Sequence, residues 1–276
     1  MAYQNFIPTV WSETINRELE KALVFAENCN RKYEGDVQKM GDTVRILGVG
    51  SPTITTTDSK EITLSDAENV DDTSVSMAIK HVSYFNYKVD DIDKRQAAGN
   101  VLAALQQEAT YGCADEMDKY IASLAKNREA VKYAASATTI TAANVLGEID
   151  NALQALYENN VRPNSKITVT IPPWFYTYFL QAYTKLDTNN SEKLANGQVA
   201  KYGGAIIKMS NNVAVDTSGN SLIMVRTDNA VAFANPMTHV EPYRPEHGFS
   251  DAVKGFVLYD AKIVRPKELV ILNCKH

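Results

Sequence analysis

The stretch from Asp90 to Lys126, DDIDKRQAAGNVLAALQQEATYGCADEMDKYIASLAK, constrains the fold more than any other part of the chain. Ala98, Leu102, Leu105, Ala109, Cys113, Met117, Tyr120 and Leu124 recur at steps of three and four, the period of one helix face. Asp90, Asp91 and Asp93 stand at its start, where carboxylates complement the helix dipole. The stripe persists for about nine turns, roughly 50 Å at the standard rise. Gly99 and Gly112 lower helix propensity and admit curvature or close packing. A helix of that length exceeds what a small core requires, so it predicts a structural backbone on which other elements are hung.

Ahead of it, GDTVRILGVG and SVSMAIKHVSYFNYKVDD alternate as strands do, and between them lies the polar, threonine-rich SPTITTTDSKEITLSDAENVDDT. Loops beyond about 12 to 15 residues without structure of their own are uncommon in compact domains. Thr53, Thr55, Thr57, Ile62 and Leu64 fit extended structure, which predicts a long β-hairpin projecting from the body, with Gly48-Val49-Gly50 as a bend at its base. A lone hairpin is marginal in water and requires a partner surface. Residues 1 to 11, MAYQNFIPTVW, carry apolar side chains without a clean period and a proline at position 8, and read as an extended arm. Ser12 is placed to cap a helix over 13 to 30, with Ile15, Leu19, Ala22, Leu23 and Ala26 on one face.

Beyond the long helix, Thr141 is placed to cap a second one whose Val145, Leu146, Ile149, Leu153, Leu156 and Tyr157 face a core. RPNSKITVTI reads as turn plus strand, and the prolines of IPPWFYTYFLQAY break that strand and seed a short aromatic helix. GGAIIKMS, NSLIMVRT and NAVAFAN are further strands separated by turn clusters, and ELVILN is the last. Between them, EPYRPEHGFSDAVKGFVLYDAKIVRP holds Pro242 and Pro245, which restrict the backbone at a joint, then Val253, Phe256, Leu258 and Ile263 on strand faces, and Pro266 as a stop. Helices and strands mix without a regular βαβ alternation, so the fold class is α+β. No internal repeat is visible.

With 276 residues and 45% hydrophobic content there is enough chain for one large core or two modest ones. A net charge of −5 lacks the basic stripe that gripping nucleic-acid phosphates demands. Cys29, Cys113 and Cys274 are odd in number and far apart, which argues for small buried residues in a reducing compartment rather than a disulfide framework. No apolar run reaches the roughly 18 residues of a membrane span, so no membrane partner and a cytoplasmic product are expected. His81, His239, His247 and His276 form no HExxH or CxxC pairing, and neither a nucleophile elbow nor a Walker-type loop is present. Asp216, Ser218 and Asn220 mimic calcium-ligand spacing, but the missing twelfth-position glutamate leaves a hairpin turn as the better reading. No catalytic residue, metal ligand or cofactor is therefore expected.

Three stretches together carry a family likeness. FIPTVWSETINRELEKALVFAENCNRKYEGDVQKMGDTVRI resembles the start of tailed-phage major capsid proteins of the Hong Kong 97-type fold, in which an arm leads to a helix and then to GDTV. YFNYKVDDIDKRQA resembles that family's passage from hairpin to spine helix, and NAVAFANPMTHVEPYRPEHGFSDAVKGFVLYDAKIVRPKELVIL its C-terminal ending. The resemblance implies an N-terminal arm and helix (1–33), an extended hairpin loop (34–88), a peripheral domain with the spine helix (89–135 and 237–276) and an axial domain (136–236). It also implies a non-enzymatic coat protein forming pentamers and hexamers of an icosahedral head around double-stranded DNA, made in the host bacterial cytoplasm, with a scaffolding protein and a portal as partners.

Arm and hairpin would reach over neighbouring subunits, which makes Phe6, Ile7, Trp11, Thr55, Lys60, Ile62, Leu64, Arg244 and Glu246 the candidate inter-subunit contacts. Some members of the family join subunits by Lys–Asn isopeptide bonds; Lys60 stands where a donor would, although no acceptor or catalytic carboxylate can be matched. An encapsulin-like nanocompartment shell shares the fold and is the structural alternative. An α+β enzyme with WFYTYF lining a pocket is the alternative of another class, against which aromatics at helical spacing more often build core.

Overall fold

The computed structural model describes residues 23–33, 43–49, 56, 72–90, 101–127, 131–132, 136–184, 201–245 and 250–276. Three helices stand among them: α1 (Val101–Ser123), α2 (Val145–Glu158) and α3 (Pro173–Thr184). The strands are β1 (Thr43–Val49), β2 (Asp72–Ala78), β3 (His81–Asp90), β4 (Val131–Lys132), β5 (Thr138–Thr139), β6 (Ile167–Ile171), β7 (Lys201–Tyr202), β8 (Ala205–Met209), β9 (Ser221–Thr227), β10 (Val231–Tyr243), β11 (Ser250–Ile263) and β12 (Leu269–Lys275). The α+β class expected from the sequence is what forms.

The largest sheet runs β4-β12-β9-β6-β8-β7, with β5 also beside β12. Every residue of β6, ITVTI, is buried, so the centre of this sheet is covered on both faces, with Thr168 and Thr170 buried among apolar neighbours. α2 and α3 pack on each other and α2 on β12. Val145, Ile149, Leu153 and Leu156 of α2 enter one core cluster with Phe175 and Phe179 of α3 and Met117 and Ile121 of α1. Tyr157, expected on that face, is exposed instead. Thr141 does not cap α2; its backbone N–H and hydroxyl both donate to Asn144 Oδ1, and Asn144 occupies the N-cap.

A second, all-antiparallel sheet runs β10-β11-β3. Within it Glu241 lies opposite Lys254, and Pro242 opposite Val253, so Pro242 sits inside β10 rather than beyond it. β10 is an edge strand, where a residue without an N–H is tolerated. The register shifts between Ala234 and Met237, a bulge that takes up Asn235 and Pro236. The division expected at residue 236/237 thus falls inside one continuous strand, and β12, assigned with the peripheral part, lies in the larger sheet beside β9.

The alternating run over residues 72–90 is two strands, not one. β2 pairs antiparallel with β1, Thr43 opposite Ala78 and Val49 opposite Asp72, whereas β3 pairs with β11. Gly48 and Val49 are part of that ladder, so the expected bend at the hairpin base is absent there. Val44, Ile46, Met77 and Ile79 are buried against Ala232, Ala234 and Leu258 in a separate cluster. Each such side chain contributes about 1.5–3 kcal/mol when fully buried, enough to hold a ribbon that would be marginal alone. The hairpin root is therefore fastened to the body at β10 and β11, while the threonine-rich part lies outside the described residues.

α1 carries 23 residues, about 35 Å of helix, shorter than the stripe read from sequence because 91–100 lie outside the described residues. Along it Cys113 and Met117 are buried and Ala109, Tyr120 and Leu124 half-buried, the expected face. The helix expected over 13–30 does not continue through its described part. Residues 23–30 make a bend and a 3₁₀ turn at Ala26–Asn28, with a cause given below.

Candidate functional site

Two polar clusters tie the elements together, both built on residues that interrupt an apolar pattern. The first holds residues 23–30. Asp118, 3% exposed on α1, accepts the backbone N–H of Val24 at 2.7 Å, Phe25 at 3.1 Å and Ala26 at 3.3 Å. From the other side Arg226 of β9, 1% exposed, donates Nη2 to the Phe25 carbonyl at 2.6 Å and Nη1 to Cys29 Sγ at 3.1 Å. Asn30 then bridges to β10, donating to the Val231 carbonyl and accepting from Phe233 N–H. Three successive N–H groups turned toward one carboxylate cannot make the i→i−4 pattern of an α-helix, which is why the expected helix is broken here. Leu23, Phe25 and Ala26 are buried in the chain's own core. This part of the 1–33 segment is anchored on its own subunit rather than reaching away.

Burial raises the Asp118 carboxyl above its usual range, against the three N–H bonds and the nearby Arg226 guanidinium, which lower it. Burial likewise raises the Cys29 thiol, with Arg226 opposing. Cys113 and Cys274 are buried free thiols as well, and burial pushes Cys274 up to about 12. Thiols held protonated are poor nucleophiles, in keeping with the small-apolar role read from sequence.

The second cluster sits where β2 hands over to β3. Asp260 of β11 has a side chain 9% exposed. Its Oδ2 accepts the Lys80 backbone N–H at 3.2 Å and faces His81 Nδ1 at 3.3 Å. Its Oδ1 accepts the Tyr120 hydroxyl of α1 at 2.9 Å and its own chain's Ala261 N–H at 2.7 Å. The His81 ring lies 4.0 Å from that of Tyr120, and Ser83 donates to the Tyr259 hydroxyl. Burial first, then the bond to Asp260, raises the Tyr120 phenol. One carboxylate so joins hairpin root, long helix and closing sheet.

Of the candidate contacts named from sequence, Phe6, Ile7, Trp11, Thr55, Lys60, Ile62, Leu64 and Glu246 lie outside the described residues. Arg244 is exposed, one residue past the end of β10. Asp216 behaves as the hairpin turn expected: its Oδ1 accepts the N–H of Ser218 and of Asn220, and Gly219 adopts φ 84°, a conformation only glycine takes freely. Sequence reading missed Asp118, Arg226 and Asp260. A signal existed in two of them: Arg226 ends the apolar run LIMV, and Asp118 falls beside Met117 within a buried stripe.

Neither cluster presents a nucleophile with an activating base at an open cavity, and among the described residues no group of three His, Cys, Asp or Glu could hold a metal ion. Among the described residues no helix is long and apolar enough to cross a membrane. The bonds to Asp260 tie the long helix, the β2–β3 crossover and the three-stranded sheet to one another.

No family model and no curated protein matches the sequence. Solved structures do. One from Mycobacterium phage Che8 superposes with TM-score 0.75 at 29% identity over 91% of each chain. The capsid of cyanophage P-SCSP1u gives 0.71 at 15% identity over 92% of this chain and 88% of that one. A virus-like particle from Pyrococcus furiosus gives 0.61 at 12% identity over 97% and 100%. The chain has the Hong Kong 97-type fold of tailed-phage major capsid proteins, as its sequence resemblance implied.

Proposed function

We propose that this chain is the major capsid protein of a tailed phage, assembling into pentamers and hexamers of an icosahedral head that encloses double-stranded DNA. The observation that carries the reading is the agreement over nine-tenths of both chains with a phage structure at 29% identity, together with the ties through Asp260 described above. A shell needs repeated heterologous contacts, each modest, that close by symmetry. No catalytic step is required. The arm residues Phe6, Ile7 and Trp11, the hairpin-loop residues Thr55, Lys60, Ile62 and Leu64, and Arg244 and Glu246 of the segment between β10 and β11 are the contacts through which neighbours engage. On this reading the peripheral part is 89–135 with 237–276 and the axial part is 136–236, and β12 of the former pairs with β9 of the latter. Scaffolding protein, portal and packaged DNA are the remaining partners, and assembly takes place in the bacterial cytoplasm.

Electron microscopy of the purified protein, alone and co-expressed with a scaffolding protein, tests the proposal. Closed shells or free capsomers are expected; a compact monomer under every condition overturns it. A cellular nanocompartment is the second reading, favoured by the full-length match to the archaeal particle. Shells that hold a co-purifying enzyme instead of filling with DNA decide for it.

A further inference from the structure

We propose that His81 is a proton-sensitive pin at the crossover from the β1–β2 ladder to β3. Asp260 is a buried carboxylate with four described partners: it accepts from Tyr120 hydroxyl, Ala261 N–H and Lys80 N–H, and it faces His81 Nδ1, which donates when the ring is protonated. Three of these cannot change charge near neutral pH, since they are a phenol whose acidity burial suppresses and two backbone amides. His81 is the one that can, and its side chain is 44% exposed, so protons reach it from solvent.

The remaining groups around the ring do not compete for that role. From α1 come Tyr120, Glu116 one turn earlier and Cys113 two turns earlier, the last two acting on Tyr259; Glu116 is itself bonded by Lys119. From β11 come Asp260, Tyr259 and Lys262, the last donating to the Ser76 carbonyl of β2. On its own strand His81 is flanked by Lys80, whose backbone is the bonded part, and by Ser83, bonded to Tyr259. An imidazolium at His81 places a proton and a positive charge on the Nδ1 that faces the Asp260 carboxylate, turning that contact into an ion pair and strengthening it.

The consequence is local and directional. Lys80 N–H shares the Oδ2 oxygen with His81, and Lys80 is the residue where the chain leaves the β1–β2 ladder for the β3–β11 ladder. Uptake of a proton draws this crossover onto Asp260 and thereby onto Tyr120 of α1; loss of the proton loosens it. The apolar cluster of Val44, Ile46, Met77 and Ile79 keeps the hairpin root seated throughout, so the pin governs the order of the crossover and not whether the ribbon is attached.

Hydrogen–deuterium exchange over residues 79–83 tests this, read between pH 8 and pH 5.5, corrected for intrinsic rates, with sedimentation confirming the same assembly state at each pH. The wild-type chain should gain roughly two- to fivefold protection as pH falls, the size expected of a half-exposed charge pair. H81Q should show a flat profile with fold retained by circular dichroism. D260N, where the acceptor charge is removed, should lose the pH dependence with His81 still present. A wild-type profile that is flat, or that H81Q reproduces, overturns the proposal.

Discussion

Asp118 shows how much one side chain can decide. It turns Val24, Phe25 and Ala26 N–H groups inward, out of the helix their periodicity predicts, and Phe25 and Ala26 are fully buried. Asp118→Ala strands them, at about 1–3 kcal/mol per buried unpaired group; allowing for partial relaxation, a net loss of about 3 kcal/mol is expected, seen as a lower urea midpoint with unchanged slope. Acid behaviour separates this carboxylate from Asp115, one turn earlier. Asp115 is held below its usual range first by the Lys119 ammonium, with Asn212 adding a second bond. Its contribution is present above the unfolded carboxyl value near 4 and fades as pH falls through the depressed folded value. The raised group, Asp118, has the opposite sign: its protonated form favours the fold, and that advantage is lost as pH rises through its elevated folded value. Urea midpoints at pH 5 and pH 3 should therefore converge in Asp115→Asn, while Asp118→Asn keeps or steepens the wild-type acid loss.

At the scale of elements, the β10–β11–β3 sheet depends on a residue with no side chain. A Cβ on Gly255 would lie 2.5 Å from Phe85 Cζ and 2.9 Å from the His239 carbonyl oxygen. The aromatic ring can swing but the backbone oxygen cannot, so Gly255→Ala should cost about 1–3 kcal/mol and lower the thermal midpoint, while Ala at Gly112, which meets nothing within 4 Å, should not. The long helix, the aromatic helix α3 and the run of strands were legible because each carries its own period or its own proline and glycine punctuation. The break between β2 and β3 was not. Both halves alternate, and what separates them is the pull of Asp260, 180 residues away in sequence, on Lys80. The same holds for residues 23–30, whose helical spacing is genuine but is overruled by Asp118 and Arg226. Alternation and capping are local signals; a buried charge that captures a distant backbone leaves no mark near the residues it bends.

For the whole molecule, the proposed division of labour is a rigid joint within the subunit and contact surfaces on arm and hairpin. Trp11→Ala or Ile62→Ala should then abolish closed shells in micrographs while leaving circular dichroism and the unfolding midpoint of the unassembled chain within error of wild type. A fall in that midpoint would instead place those side chains in the subunit's own core. The order of synthesis sets a further condition. β12, drawn from residues 269–275, is held between β9 and the short strands β4 and β5, so the larger sheet has a gap until residue 275 has been synthesised. At 5–20 residues per second, the anchored segment around Phe25 waits tens of seconds for Arg226 and the sheet behind it to be completed. A product terminated before residue 269 therefore lacks a finished larger sheet, and on the proposed reading it should be missing from purified shells.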